Sequence, residues 1–172
     1  MASTSPNPRK GEPLYTPEER RRRDSTVWTT IQGVLAPTQF LVFLVSLGFV
    51  LRYILTGEGL ITASASVVIK TLVLYAIMIT GSIWEKKVFG RWLFAPAFFW
   101  EDVFSMAVIA LHTAYVLALL TGFGTPMTQM LIALAAYAAY VVNAVQFLLK
   151  LRAARLQEEA ERADAGTAEV TP

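Results

Sequence analysis

The sequence predicts an all-α integral membrane protein: a bundle of four transmembrane helices with a short amphipathic helix before the first span. The chain has 172 residues, 55% of them apolar, and its mean hydropathy of +0.48 lies well above that of soluble proteins. Only 16% of the residues are charged, and they concentrate at the two ends and in one loop. Four apolar segments have about the 20 residues needed to cross a bilayer: residues 27–55, 64–84, 100–120 and 127–149.

The two ends of the chain differ in composition from the part between them. Residues 1–13 are rich in Pro, Ser and Thr, which predicts a disordered tail. We expect the four-helix membrane domain over residues 14–155 and a charged, flexible tail over residues 156–172. Thr16 and Pro17 have the pattern of a helix start, an N-cap followed by proline at the first helical position. The arginines that follow either face lipid phosphates or form a solvated run that only fixes orientation.

Lysine and arginine predict the topology. The N-terminal tail, the loop between the second and third spans, and the C-terminal tail are basic, whereas the other two loops carry almost no cations. The positive-inside rule therefore places both termini and the basic loop in the cytoplasm. Lys70 falls inside the second span, and we expect its long side chain to snorkel outward to the membrane surface.

Several function classes are excluded by composition. The chain has no cysteine, so disulfides, thiolate metal sites and cysteine nucleophiles are ruled out. A net charge of +2 is too small to indicate nucleic-acid binding. Since one histidine cannot build a zinc site, and since phosphate-binding and hydrolase motifs are missing from the sequence, we expect no metal and no cofactor of the protein's own.

Polar groups collect on the cytoplasmic side of the predicted bundle, around the aromatic-rich segment 84–112. A polar cavity open on one side favours a substrate that enters sideways from the bilayer, whereas a transporter needs polar groups near the midplane and access from both sides. The candidate catalytic residues are Glu85, Glu101 and Asp102, and the candidate binding residues are Gln32, Gln39, Arg91, Phe99, Trp100, His112 and Asn143.

The acidic residues can be interpreted in two ways, as structural or as catalytic groups. Glu101 and Asp102 begin a helix, where they either cap it and meet its dipole or pair with Lys86, Lys87 or Arg91. Alternatively, they lie close to Glu85, the carboxylate at the end of the preceding span, at an apolar boundary. Close carboxyl groups in such a place tend to retain a proton near neutral pH, as a general acid must.

His112 can also be interpreted in two ways. It lies about 16 Å deeper than Glu101 along one helix. It is either a core histidine that bonds a tyrosine or a carbonyl, or a functional group that carries a proton or ligates the metal of a planar pigment.

Several segments resemble the 3-vinyl bacteriochlorophyllide hydratase family, and the likeness extends over about residues 14–155. The motifs Trp-Glu-x-x-Val-Phe-Gly-Arg and Phe-Phe-Trp-Glu-Asp are the most specific part. The matching stretches are Leu14-Tyr-Thr-Pro-Glu-Glu-Arg, Gln32-Gly-Val-Leu-Ala-Pro37, Phe40-Leu-Val-Phe-Leu-Val-Ser, Leu51-Arg-Tyr53, Gly81-Ser-Ile-Trp-Glu85, Val88-Phe-Gly-Arg91, Leu93-Phe-Ala-Pro-Ala-Phe-Phe-Trp-Glu-Asp102, Leu111-His-Thr-Ala-Tyr115 and residues 143–151.

The resemblance implies an enzyme of anoxygenic phototrophic bacteria. Such a hydro-lyase adds water across the vinyl group of a chlorophyllide or bacteriochlorophyllide, giving a 1-hydroxyethyl group on the path to bacteriochlorophyll a. It implies a multi-pass protein of the bacterial inner (cytoplasmic or intracytoplasmic) membrane. It also implies a tetrapyrrole substrate that carries its own magnesium, and other pigment-biosynthesis enzymes as partners.

The family resemblance assigns no catalytic residue, so the roles are hypotheses from the residues. Alkene hydration begins with a proton delivered to the terminal carbon. We expect Glu101 to be the acid, with Asp102 or Glu85 placing the water or stabilising the cation, and with Asn143 or Gln32 helping to orient the water. His112, Trp100 and Phe99 would hold the pigment. The alternative is a non-enzymatic pigment-binding or assembly protein of the photosynthetic membrane.

Overall fold

The computed structural model describes residues 14–169. Those residues form five α-helices and no strand: α1 Pro17–Ser25, α2 Val27–Thr56, α3 Leu60–Phe89, α4 Phe99–Thr121 and α5 Pro126–Glu169. Helices α2, α3 and α4, and the part of α5 from Pro126 to Ala160, are long and apolar enough to cross a membrane. The predicted all-α class with four apolar spans is therefore confirmed, while the predicted tail at residues 1–13 lies outside the described residues.

The helices extend beyond the apolar segments that predicted them. Helix α3 begins four residues before the predicted 64–84 segment and ends five residues after it. Helix α5 continues through residues 156–169 of the predicted C-terminal tail, whose flexibility stays a prediction. Alanine and glutamate, both strong helix formers, make up eight of the fourteen residues of this extension. Hydropathy thus marks the part of a helix that lies in lipid, not the whole helix.

The start of α1 agrees with the sequence pattern. Thr16 Oγ1 accepts a hydrogen bond from the Glu19 N–H at 3.2 Å, and the Glu19 carboxylate accepts one from the Thr16 N–H at 2.8 Å. This reciprocal capping box satisfies two backbone donors that the helix itself leaves free. With Pro17 at the first helical position, the predicted N-cap is confirmed. The amphipathic character expected of this helix stays a prediction.

The four long helices form two hairpins. Helix α3 packs mainly on α2, and α4 packs mainly on α5, while contacts between the hairpins are fewer. Large apolar side chains such as Leu55 and Ile61 are more than 80% exposed, as suits helices surrounded by lipid. Among the described residues, the larger of two clusters of buried apolar residues lies between the helices: Phe43, Val50, Ala63, Val67, Leu74, Val108, Tyr115, Met130, Ala133, Tyr137 and Tyr140.

Polar side chains link the two hairpins inside this core. Ser46 Oγ on α2 and Tyr137 OH on α5 lie 2.5 Å apart, and Tyr75 OH on α3 lies 2.7 Å from Thr113 Oγ1 on α4. Such bonds are typical of membrane bundles, where lipid-facing apolar surface provides little force between helices.

Lys70 does not reach the membrane surface. Its side chain is completely buried, and its ammonium group lies 4.0 Å from the centre of the Tyr140 ring. The expected snorkelling is therefore wrong. Lys70 lies on the buried face of α3 with Val67 and Leu74, so its stem leads into the bundle, where an aromatic face attracts the cation.

The hydrogen bond between Ser46 and Tyr137 should contribute measurably to the free energy of unfolding of the bundle. Tyr137→Phe removes only the hydroxyl group and should lower the free energy of unfolding by about 1 kcal/mol, near the upper part of the range for buried bonds between membrane helices. Reversible unfolding of the purified protein in detergent by a denaturant measures this loss. The control is Tyr53→Phe, whose hydroxyl group bonds no described residue. Equal stability of the two variants would contradict the prediction.

Candidate active site

Two buried carboxyl groups meet where α3 ends and α4 begins. Glu85 lies in the last turns of α3 and Asp102 in the first turn of α4, and they are only 5% and 3% exposed. Their carboxyl groups lie within hydrogen-bonding reach of each other. A hydrogen bond between two carboxyl groups requires a proton on one of them, because an ionised carboxylate can only accept. The pair can therefore hold a proton beside apolar surroundings.

Backbone amides of the connecting loop fix both carboxyl groups. The Phe94 N–H donates to Asp102 Oδ2 at 2.7 Å, and the Ala95 N–H donates to Glu85 Oε2 at 3.2 Å. Phe94 has a φ of 58°, the left-handed region that residues other than glycine rarely adopt. Such a conformation costs of order 1–3 kcal/mol. The hydrogen bond to Asp102 offsets part of that cost, so the loop and the carboxyl pair hold each other in place.

Glu101 points to a different helix. Its carboxylate lies 2.7 Å from Lys150 Nζ on α5, and both side chains are largely buried. The alternative pairing of Glu101 with Lys86, Lys87 or Arg91 is therefore wrong. The site thus contains one carboxylate with a lysine counter-ion next to two carboxyl groups that face each other.

The three amide residues predicted to bind the substrate do not lie together. Asn143 Nδ2 donates to Ser105 Oγ at 2.9 Å, one turn deeper than Glu101, and Asn143 Oδ1 has no partner among the described residues. Gln32 instead donates to Thr80 Oγ1 at 2.7 Å, away from the carboxyl groups. Gln39 is buried, and its Oε1 lacks a partner in the described part of the chain. Asn143 therefore contacts α4 one turn from Glu101, whereas Gln32 contacts α3.

Exposed aromatic side chains border the carboxyl pair. The Phe99 and Trp100 rings make an edge-to-face contact at 5.5 Å, and Phe94 lies 5.8 Å from Phe99. Trp100 is 50% exposed, and Arg91 is also exposed. We call Phe94, Phe99 and Trp100 the aromatic patch. The Phe94 and Trp100 rings expose apolar surface next to the start of α4.

His112 lies apart from these groups. It is fully buried, its Nδ1 lies 2.8 Å from the Val108 carbonyl oxygen, and its ring centre lies 5.8 Å from that of Tyr137. The expected bond to a carbonyl is confirmed. Its Nε2 has no hydrogen-bond partner among the described residues.

The segment before α2 packs where α3 ends and α4 begins, and sequence reasoning missed this. Tyr15 is 3% exposed and stacks on Phe89 at 5.8 Å, and it also contacts Phe98, the residue that caps α4. We call residues 14–25 the strap. The only signal in the sequence was an apolar pair, Leu14 and Tyr15, in an otherwise polar segment.

Charged groups hold the strap against α5. The Arg23 guanidinium lies 4.7 Å from the centre of the Tyr15 ring and 2.8 Å from Glu158, which also pairs with Arg20 at 3.6 Å. Burial acts to lower the pKa of Arg23, but hydrogen bonds to Asp24 and Glu158 outweigh it and raise the pKa above its usual range. Burial likewise raises the pKa of Tyr15 to about 12. The strap therefore carries a fixed cation and a neutral phenol at physiological pH.

Comparisons with known proteins agree on one family. A family model described as 2-vinyl bacteriochlorophyllide hydratase matches residues 15–153. A protein of that name from Rhodobacter capsulatus is 63% identical over 167 residues, which cover 97% of this chain and 95% of the relative. One from Cereibacter sphaeroides is 67% identical over 147 residues, 86% of this chain and 91% of the relative. These names place the vinyl group at position 2, whereas the name of the family that the sequence resembles places it at position 3. No solved structure matches the chain.

The ion pairs of Glu158 predict how firmly the strap is held. Glu158→Ala removes the partner of both Arg20 and Arg23, so the strap should detach more often. Trypsin should then cleave after Arg21 and Arg22 about fivefold faster, as expected for a loss of about 1 kcal/mol in local stability. The control is Glu159→Ala, because Glu159 is exposed. Equal cleavage rates in the two variants would show that Glu158 does not hold the strap.

Proposed function

Because the chain belongs to the 2-vinyl bacteriochlorophyllide hydratase family, we propose that it adds water across the vinyl group of a bacteriochlorophyllide to form a 1-hydroxyethyl group. The substrate is a magnesium tetrapyrrole with a free propionic acid side chain. The observation that carries the mechanism is the contact between the buried Glu85 and Asp102 carboxyl groups, since hydration of an alkene needs a proton donor held against an apolar group.

The first step uses the proton of this pair. The carboxyl O–H gives its proton to the terminal vinyl carbon, and the π electrons of the double bond form the new C–H bond. The cation that remains on the carbon next to the ring is delocalised into the macrocycle. The proton leaves a carboxylate behind, whose negative charge stabilises the adjacent cation.

The second step adds water. The water oxygen attacks the cation, its surplus proton returns to the carboxylate, and the acid is regenerated. Glu101 is suited to orient this water because its carboxylate, fixed by Lys150, has oxygen atoms that can accept a hydrogen bond. Asn143 Oδ1 provides a second acceptor. The sequence favoured Glu101 as the acid, whereas these contacts support the acid role for Glu85 and Asp102.

The aromatic patch is suited to hold the pigment. Phe94 and Trp100 offer exposed ring surface on which a flat macrocycle can stack as it enters, with the half-buried Phe99 between them. The exposed Arg91 can attract its acidic side chain during entry. The substrate then reaches the carboxyl pair sideways from the lipid. Water arrives from the end of the bundle at which the strap lies.

We place the protein in the cytoplasmic membrane of a photosynthetic bacterium, with both termini on the cytoplasmic side. An even number of spans puts the two ends on the same side, and the contact of Arg23 with Glu158 supports this. Arginine and lysine gather at that end of the bundle, as the positive-inside rule requires. The exposed Arg21 and Arg22 would face lipid phosphates.

Replacing the carboxyl pair tests the proposed mechanism. Glu85→Gln or Asp102→Asn alone leaves one carboxylic acid in place, so each should retain part of the turnover. The double variant has no acid and should lose about 10²- to 10⁴-fold in kcat, the usual contribution of a general acid. The assay follows the gain of one water by 3-vinyl bacteriochlorophyllide with the purified protein, using mass spectrometry.

Two controls make this test specific. Glu58→Gln changes an exposed carboxylate at the opposite end of the bundle and should leave turnover unchanged. Helical content and a monodisperse elution profile identify variants that have lost their fold. If the folded double variant turns over like the wild type, the assignment of the acid is wrong. If the wild type forms no hydrated product, the proposed activity itself is wrong.

A further inference from the structure

A second polar cluster lies deep in the bundle, away from the carboxyl pair. Lys70 on α3 and His112 on α4 are both fully buried and lie close enough to interact electrostatically. Lys70 Nζ and His112 Nε2 each lack a hydrogen-bond partner among the described residues. Buried polar atoms in lipid cost several kcal/mol when unpaired, so a membrane protein retains them for a purpose.

The hydrogen-bonding character of each group is defined. A carbonyl oxygen only accepts, so the contact with Val108 requires His112 Nδ1 to carry the hydrogen, which leaves a lone pair on Nε2. Lys70 Nζ is a donor. The cluster thus presents one donor on α3 and one acceptor on α4.

No carboxylate of the described residues neutralises Lys70. The acidic residues with described side chains lie at the two ends of the bundle: Glu58 pairs with Arg52 at the end near the α2–α3 turn, and the others lie near the carboxyl pair or the strap. Within the described part of the chain, the face of the Tyr140 ring meets the cation. A buried cation of this kind calls for an acidic partner from a ligand.

We propose that Lys70 and His112 bind the free carboxyl group of the tetrapyrrole substrate, an inference that rests on the proposed function. A carboxylic acid fits the cluster at both oxygens: its O–H proton passes to His112 Nε2, which then donates a hydrogen bond to one carboxylate oxygen, and the other, negatively charged oxygen accepts from Lys70 Nζ. An ester of the same acid has no O–H and cannot make the first of these bonds.

The distance between the two sites suits one ligand. Asp102 and His112 lie on the buried face of α4, separated by ten residues, which corresponds to a rise of about 15 Å. That length is comparable to the width of a tetrapyrrole with its side chains. A substrate with its vinyl group at the carboxyl pair can therefore direct its propionic acid to the deeper cluster.

The ligand would enter along the seam between α3 and α4. These helices belong to different hairpins and pack more on their own partners than on each other. An apolar groove of about 590 Å³ opens along this seam at its far end, lined by Leu60, Ile61, Ser64, Ala65, Val68, Ile69 and Leu119. The macrocycle can separate the seam without breaking either hairpin.

The test compares the free acid of 3-vinyl bacteriochlorophyllide with its propionic methyl ester. The wild type should hydrate the acid with a kcat/KM at least about tenfold above that of the ester, as expected for the loss of a hydrogen bond to a charged site. In Lys70→Met, the value for the acid should fall to that for the ester, while the ester value stays unchanged. The control is Lys87→Met, the same change at an exposed position of the same helix, which should keep the preference.

A binding measurement complements the kinetics, because His112 is the only histidine in the chain. Protein labelled with ¹⁵N-histidine gives one imidazole signal set, and the free acid should shift the Nε2 resonance more than the ester, which controls for the ring current of the pigment. Equal kinetics for acid and ester in the wild type, or a preference that survives in Lys70→Met, would overturn this proposal and leave the hydratase activity standing. If neither substrate is hydrated, the proposed function fails first.

Discussion

The contact between Glu85 and Asp102 is the interaction on which the site depends. It joins the two hairpins where α3 passes into α4, and it anchors the connecting loop through the N–H groups of Phe94 and Ala95. Burying two carboxyl groups costs several kcal/mol unless hydrogen bonds satisfy them. The loop amides supply those bonds, and the strained backbone at Phe94 indicates that the surrounding structure holds this arrangement.

Helix geometry explains why two neighbouring acids have different surroundings. Consecutive residues of an α-helix point about 100° apart. Asp102 therefore faces α3 and meets Glu85, whereas Glu101 faces α5 and meets Lys150. One acid has a carboxyl partner and the other has a cation. A Glu-Asp pair at the start of a helix between two neighbours can thus place one carboxyl group against another and one against a cation within one turn.

The sequence was sufficient for the spans and for the gathering of acids at one end, but not for the partners. Hydropathy located four apolar segments, and the N-cap at Thr16 followed from local pattern. Lys150 is 49 residues from Glu101, and no local pattern relates them. Lys70 was placed wrongly because hydropathy gives no direction for a side chain within a helix. Such contacts depend on how the helices pack against each other, and that packing cannot be inferred by inspecting a single sequence.

The position of the site follows from the chemistry it is proposed to perform. The reaction needs one proton and one water at an apolar vinyl group, and the cation between the two steps must meet no other nucleophile. Deep in lipid there is little water, and in the cytoplasm water competes for every proton donor. At the end of a transmembrane bundle, water is within reach, and apolar side chains can still keep excess water away from the proton donor. Tyr15, Phe89 and Phe98 pack together where α3 ends and α4 begins, and the proposed route along the seam between α3 and α4 would bring the substrate to the acids from the side.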